Sequence, residues 1–581
     1  MATEVLGGEV LVTPETAPNG AHVHEDIKPA DNAVPKETLE CDVLVIGAGF
    51  SGITAIHRFR EMGMSVKCFE SGSDFGGVWY WNRYPGARVD SELPFYQLNI
   101  PEVYRDWSFT QRFSDHTELR RYMAHIDKVL GLRRDAYFNA RVNDARWDES
   151  SGKWTVKTLQ GHVAKAKYLV SCTGLLHRTY TPNFEGLSSY KGEVYHSGAW
   201  PEDFNPKGKK IGLIGAGATA VQITQELGKT ASELTVFLRR PSYCLPMGQR
   251  AFTVEEQNSW KTYYPTLFTT GRDSAAGFPA GRAGDRLQDA TAPERQRLFE
   301  ELWARGSFNF ALGNYGNILL DPEANKIAYE FWRSKVCARL TDPAKHAIMA
   351  PPVEKQPYYF GTKRSPLEQD YYEVLNQSNV HLHSLTENPL KKFTETGLEM
   401  QDGKTYDFDL VVLATGFDSY SGSLTQMGLH SKDNVDLADI WSSKGVNTYL
   451  GITIAGFPNF FHAYTPQAPT ALSNGPTIIE AQVETIVDMI RKLEAEGARK
   501  FEAKEEAEEE WKATLAARSK MTLLPFTDSW WNGANIPGKK AENMIYVGGI
   551  NMYEKEIRAK IDGWHGFDVV GAKPAATAAA A

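Results

Sequence analysis

Residues Cys41 to Glu70 read CDVLVIGAGFSGITAIHRFREMGMSVKCFE, and residues Lys210 to Arg240 read KIGLIGAGATAVQITQELGKTASELTVFLRR. Each opens with a short unbroken apolar run, which suits a strand buried on both faces. A glycine-rich turn follows, then a stretch with helical spacing, then a second strand. The pattern predicts two βαβ units, so the expected fold class is α/β with two Rossmann-like dinucleotide-binding domains. In such a turn, glycines let the backbone approach a pyrophosphate that rests on the amides and dipole of the helix N-terminus. The first loop supplies Gly47, Gly49, Ser51 and Gly52. The second supplies Gly215, Gly217, Ala218 and Thr219, with Ala220 where a third glycine would stand and Gln222 a little further into the helix.

The two units end in opposite chemistry. Glu70 closes the first, placed to accept hydrogen bonds from a ribose diol, so a cofactor without a 2′-phosphate is implied there. Arg239 and Arg240 close the second, and guanidinium forks pair with phosphate oxygens, which favours NADPH. One site for FAD and one for NADPH make the chain a flavoprotein oxidoreductase.

Composition narrows the field. A chain of 581 residues is too long for one core and predicts two to four domains. Its net charge of −9 gives no electrostatic case for a nucleic-acid partner. The five cysteines, Cys41, Cys68, Cys172, Cys244 and Cys337, are far apart and include no CxxC, which argues against disulfides, a redox dithiol or a metal site. No apolar run is long enough to cross a bilayer and the N-terminus lacks a signal pattern, so a cytoplasmic protein with no membrane partner is expected.

Along the chain we expect an N-terminal extension over 1–38, an FAD domain beginning at 39–175, and an NADP domain beginning at 176–250. Helical sequence fills 251–348 as an insertion in the NADP domain. There Thr291 and Glu294 have capping-box spacing. The NADP domain should resume over 349–405, the FAD domain should close with 406–565, and a low-complexity tail should occupy 566–581.

The stretch YKGEVYHSGAWP, Tyr190 to Pro201, lies just before the second glycine loop. It resembles the fingerprint of Baeyer–Villiger monooxygenases, FxGxxxHxxxW followed by Pro or Asp, matched at Gly192, His196, Trp200 and Pro201 with Tyr190 in place of Phe. The resemblance extends from about residue 40 to 555 through GGVWYWNRYPGARVDSELPFY (76–96), CTG (172–174), FGTKR (360–364), ATGF (414–417) and SWWNGANIPGK (529–539). It implies an enzyme using FAD, NADPH and O2 in which a flavin peroxide attacks a small-molecule ketone. The tetrahedral adduct then rearranges to an ester or lactone, with sulfoxidation as a side activity and no obligatory protein partner. It further implies that Arg364 is the active-site cation, that Asp90 orients it, and that Lys363 contacts the 2′-phosphate. Gly77, Trp79, Tyr96 and Val142 would lie at the flavin, and Trp530 would reach the nicotinamide ribose, with Trp531 as the packed neighbour.

From the residues alone, Lys363 and Arg364 read as a solvated surface pair, Asp90 as a turn or cap, and His196 as either an acid–base group or the anchor of a backbone turn. In the family the fingerprint segment links the two domains, which makes it a hinge. Two other monooxygenase readings or related classes stay open: oxygenation of nitrogen or sulfur, and a non-catalytic NADPH-binding sensor. A pyridine-nucleotide disulfide reductase is disfavoured by the missing cysteine pair. The substrate expected is a medium-sized aliphatic or cyclic ketone.

Overall fold

In the computed structural model, residues 21–22 and 37–571 are described. The first unit forms as its sequence dictates. Strand β1 (Leu39–Ile46) buries Val43, Leu44, Val45 and Ile46, helix α1 (Phe50–Glu61) follows the glycine turn, and β2 (Val66–Phe69) returns parallel to β1. Strand β3 (Val163–Ser171) lies parallel on the other side of β1. An antiparallel meander of 153–158 and 142–148 extends the sheet beyond β3, and Ala136–Tyr137 extends it beyond β2.

The second sheet is wholly parallel. Its members are β4 (Glu193–His196), β5 (Lys210–Ile214), β6 (Glu233–Leu238), β7 (Val380–Ser384) and β8 (Leu410–Leu413), in the order β4-β8-β5-β6-β7, with helix α2 (Ala218–Leu227) after β5. Ala21–His22 adds a short parallel edge beside β4. Two expected boundaries change. The strand Leu410–Leu413 was expected in the FAD domain, but it sits between β4 and β5, because its four buried residues complete the parallel sheet. The chain therefore crosses back at about 414–421 rather than at 405. Residues 567–570, expected in the tail, form a strand antiparallel to 500–503, and Phe567 is buried against Phe501 and Tyr449.

Between β6 and β7 stands the helical insert. Helix α3 (Ala292–Arg305) opens on the Thr291–Glu294 capping box, and α4 (Pro322–Arg339) carries the fully buried Trp332, whose indole N–H donates to the Cys244 carbonyl at 2.8 Å. The FAD domain closes with the strand β9 (Phe460–His462), parallel to the end of β3, and the long helix α5 (Gly475–Glu496), which packs on α1.

The tightest point of the first domain is where α1 leaves the glycine turn. A Cβ at Gly52 would lie 1.8 Å from the Gly47 carbonyl oxygen. Gly52→Ala must push the helix off the strand, an overpacking cost of about 3 kcal/mol. A fall in melting temperature of roughly 10 °C is expected. Circular-dichroism melts check it; an unchanged melt would show that the turn relaxes freely.

Candidate active site

On the flavin side, Gly49 and Gly77 face one another: a Cβ on Gly77 would lie 2.9 Å from the Gly49 Cα. Only two glycines allow the 76–79 turn to lie this close to the first loop. Glu70 is buried, and its carboxylate accepts the amides of Ala48 and Gly72, each at 2.6 Å. Burial raises its pKa and these amides oppose the rise. Its remaining lone pairs stay available to a diol. Ser51 is buried in the first turn of α1, and Val142 lies in the core at the start of the meander. The Trp79 indole N–H donates to the Tyr96 hydroxyl at 2.9 Å, which fixes two of the expected flavin-side rings against each other.

On the second loop, Gly217 and Ala218 are exposed at the N-terminus of α2, so amides there are open to an anion. Ala220 is buried. Gln222, expected at the cofactor, makes two hydrogen bonds across to the FAD domain. Its carbonyl accepts from the Tyr84 hydroxyl at 2.8 Å and its amide donates to the Arg88 carbonyl at 3.0 Å, since this face of α2 packs on the FAD domain's 84–88 segment. Thr219 reaches the same Tyr84 hydroxyl.

Arg239 and Arg240 are exposed just past β6, and Lys363 stands near them with its ammonium 4.6 Å from the Tyr358 ring centre. Burial together with the charges of Arg240 and Arg239 lowers the Lys363 pKa to about 8. Three cations share this place, and the Asp528 carboxylate acts on both Arg240 and Lys363. Such a cluster fits a phosphate, which would relieve the mutual repulsion.

Arg364 follows directly, and it is held from two sides. Its Nε and one terminal nitrogen donate to the two oxygens of Asp90 at 2.6 and 2.8 Å, and its other terminal nitrogen donates to the Ala471 carbonyl at 3.0 Å. Burial lowers its pKa, and the adjoining Asp90 more than reverses this, so it stays protonated. Its guanidinium lies 4.7 Å over the Phe308 ring. It borders a largely apolar cavity of about 150 Å³ whose walls include Phe310, Leu472 and Trp531. Beside it, burial pushes the Tyr464 hydroxyl up to about 12 although Arg364 opposes this, so that hydroxyl is a neutral donor.

The fingerprint residues form β4 and its flanks, and the His196 end of that strand lies against Phe417 of the returning linker. The Tyr190 hydroxyl donates to the Phe408 carbonyl at 2.7 Å, and a Cβ at Gly192 would lie 2.3 Å from that hydroxyl. His196 is buried, its Nδ1 accepts the Gly198 amide at 3.0 Å, and burial lowers its pKa to about 4, so the ring is neutral and anchors a turn. Trp200 packs edge-on to Tyr195 and Phe204, and Pro201 begins the loop toward β5. The two linkers pair with each other: Tyr180 donates to the Gly416 carbonyl and Asp418 to the Arg178 carbonyl, both at 2.9 Å.

Sequence reading did not single out what fastens this crossing to the Trp530 loop. The Lys539 ammonium donates to Asp418 and to the Ser421 hydroxyl, both at 2.6 Å, and the Asn535 amide donates to the Phe417 carbonyl at 2.9 Å. Trp530 stacks on Tyr420 at 5.7 Å, and Trp531 is the buried neighbour. Lys539 and Asn535 lie inside the quoted SWWNGANIPGK segment, but spacing alone does not pair them with residues 120 positions away. Among the described residues no group of three or more His, Cys, Asp or Glu could hold a metal, and no helix is long and apolar enough to cross a membrane.

Two Rossmann-like units, one ending in a buried acid and one in a cation cluster, with a guanidinium held between them, define a two-dinucleotide flavoprotein oxidoreductase. The family profile for flavin-binding monooxygenase-like proteins matches residues 40–252. The chain is 40% identical over 538 residues to the FAD-binding monooxygenase acrE of Aspergillus aculeatus, covering 92% of this chain and 90% of that protein. It is 37% identical to cyclopentanone 1,2-monooxygenase of Comamonas sp., covering 91% and 96%. Phenazine N-monooxygenase PhzNO1 of Lysobacter antibioticus is 36% identical, covering 90% and 95%. The solved cyclohexanone monooxygenase from Rhodococcus sp. Phi1 bound to NADP+ superposes with a TM-score of 0.88 at 34% identity, over 92% of this chain and 99% of that one. The chain belongs to the Baeyer–Villiger monooxygenases, and it is an FAD- and NADPH-dependent flavoprotein.

The Lys363 cluster predicts a pH dependence. A 2′-phosphate bound at this cluster would raise the lysine pKa above its coenzyme-free value of about 8. Preference for NADPH over NADH is therefore full below pH 8 and falls as pH rises through and beyond it. Arg239→Ala should weaken NADPH far more than NADH. Coenzyme titrations from neutral to alkaline pH check both, and equal losses for the two coenzymes would remove the phosphate assignment.

Proposed function

We propose that this chain oxygenates ketones to esters or lactones, with Arg364 as the cation at the reacting oxygen. The observation that carries this reading is the bidentate Asp90–Arg364 pair at the wall of an apolar cavity. Bound FAD and NADPH supply the reducing equivalents and the activation of O2. The residues supply the rest. Of the five guanidinium N–H donors, Asp90 and Ala471 take three, so two remain for an oxyanion. Because Arg364 stays protonated, it stabilises negative charge on oxygen without giving up a proton. The aromatic walls supply apolar surface beside the same oxygen. Lys363 with Arg239 and Arg240 would hold the 2′-phosphate, and Trp530 would position the nicotinamide end. The neutral His196 would act through backbone geometry at the paired linkers, making the fingerprint a hinge.

Oxygenation of ring nitrogen is the second reading, favoured by the phenazine N-monooxygenase likeness. Incubating the purified holoenzyme with NADPH, O2, a panel of ketones, a thioether and a phenazine, followed by mass spectrometry, separates the two. Esters or lactones one oxygen heavier are the expected products; N-oxide alone would replace the ketone reading.

Arg364→Ala should keep NADPH-driven flavin reduction and lose ester formation by about 10³-fold. Arg364→Lys should not rescue it, because an ammonium cannot make the two-pronged contact with Asp90. Stopped-flow reduction and product yield check the split, and normal ester yield from Arg364→Ala would sink the assignment.

A further inference from the structure

The charged side chains that border the cavity beside Arg364 are all cations: Arg364 itself, Lys363 and Arg282. Among the described residues no aspartate or glutamate shares that wall. Asp90 neutralises Arg364, and Lys363 stands with Arg239 and Arg240 where a coenzyme 2′-phosphate would meet it. Arg282 differs from both. Among the described residues it makes no hydrogen bond, ion pair or ring contact.

The backbone that carries Arg282 is nonetheless fixed. The Ala283 amide donates to the Gly313 carbonyl at 3.2 Å, the Gly316 amide to the Gly284 carbonyl at 2.9 Å and the Asn317 amide to the Asp285 carbonyl at 3.0 Å, so the 282–285 loop lies along the 313–317 turn of the insert. The guanidinium lies against that turn as well, since a Cβ on Gly316 would be 3.1 Å from one of its terminal nitrogens. Arg282 is exposed, so it stands at the rim of the cavity, and Phe310, Leu312 and Leu472 are among the apolar side chains that line the same space. That space, about 150 Å³, has the size that accepts a benzene-sized molecule. A reacting carbonyl and a few carbons fill it, and whatever continues from them emerges at the rim.

We propose that Arg282 recognises a carboxylate on the substrate, so that the chain takes oxo acids: ketones whose carbonyl lies beside Arg364 and whose chain ends, a few carbons away, in a carboxylate at the rim. The proposal rests on the ketone reading above. A guanidinium fork pairs with a carboxylate through two parallel hydrogen bonds. At an exposed rim that carboxylate keeps part of its hydration, which avoids the cost of burying a charge. A wall with cationic and no acidic side chains also draws an anionic substrate toward it.

The test compares oxo acids of five, seven and nine carbons, each a methyl ketone ending in a carboxylate, with uncharged methyl ketones of the same length. In the parent holoenzyme, kcat/KM should favour at least one oxo acid over its uncharged counterpart by roughly fivefold, and the preference should shrink in high salt. Arg282→Ala should remove the preference and Arg282→Glu should reverse it. Retained flavin absorbance and NADPH-driven reduction show that each variant is intact. No preference in the parent at any length, or a preference unchanged in both variants, would overturn the assignment. A variant that loses NADPH affinity and keeps the oxo-acid preference would place Arg282 at the coenzyme and overturn it equally. If the parent oxygenates no ketone at all, the ketone reading fails, and titration calorimetry of the oxo acids into oxidised holoenzyme, parent against Arg282→Glu, still decides whether Arg282 holds the carboxylate.

Discussion

The Asp90–Arg364 pair sets the frame for the rest of the molecule, because its two partners belong to different domains. Asp90 lies in the 76–96 segment of the FAD domain, and Arg364 lies on the loop by which the insert returns to the NADP sheet. Ala471, the third point of attachment, is again FAD-domain sequence. A bidentate guanidinium contact tolerates little displacement. The two sheets must therefore sit in register for the active-site cation to exist in its useful geometry. The Gln222 amide, spent on Tyr84 and Arg88, enforces the same register one helix away.

The crossing between the domains is tied together by backbone and side-chain contacts. Its two linkers pair backbone to backbone, and the neutral His196 ring anchors the turn beside them. Lys539 and Asn535 tie the Trp530 loop to the returning linker, and Tyr420, on that linker, stacks beneath Trp530. Tyr190 contributes at the far end, where the hydroxyl that distinguishes it from the family's Phe finds the Phe408 carbonyl leading into β8.

Local physics made the two βαβ units legible, since short apolar runs, glycine turns and helical spacing each act within about thirty residues. The unlike ends, Glu70 against Arg239 and Arg240, were legible for the same reason. Strand Leu410–Leu413 was misplaced because an apolar strand says that it is buried and nothing about which sheet it completes. Phe567–Val570 was missed because a four-residue strand beside an alanine-rich tail has too little pattern, though its partner at 500–503 explains it at once. Likewise Gln222 looked like a cofactor contact by its place after the loop, and only the packing of α2 on the 84–88 segment shows where its amide goes.

Lys363 and Arg364 are neighbours with opposite situations. Arg364 has its counter-ion in Asp90, while Lys363 is crowded by Arg239 and Arg240. One peptide bond joins a cation that is satisfied within the protein to one that a coenzyme phosphate would satisfy. A phosphate bound at Lys363 would therefore be held by the same loop that carries Arg364. The insert bears on that loop too, because the Phe308 ring lies against the guanidinium and also walls the cavity. One ring of the insert thus meets both the guanidinium that joins the two domains and the cavity beside it.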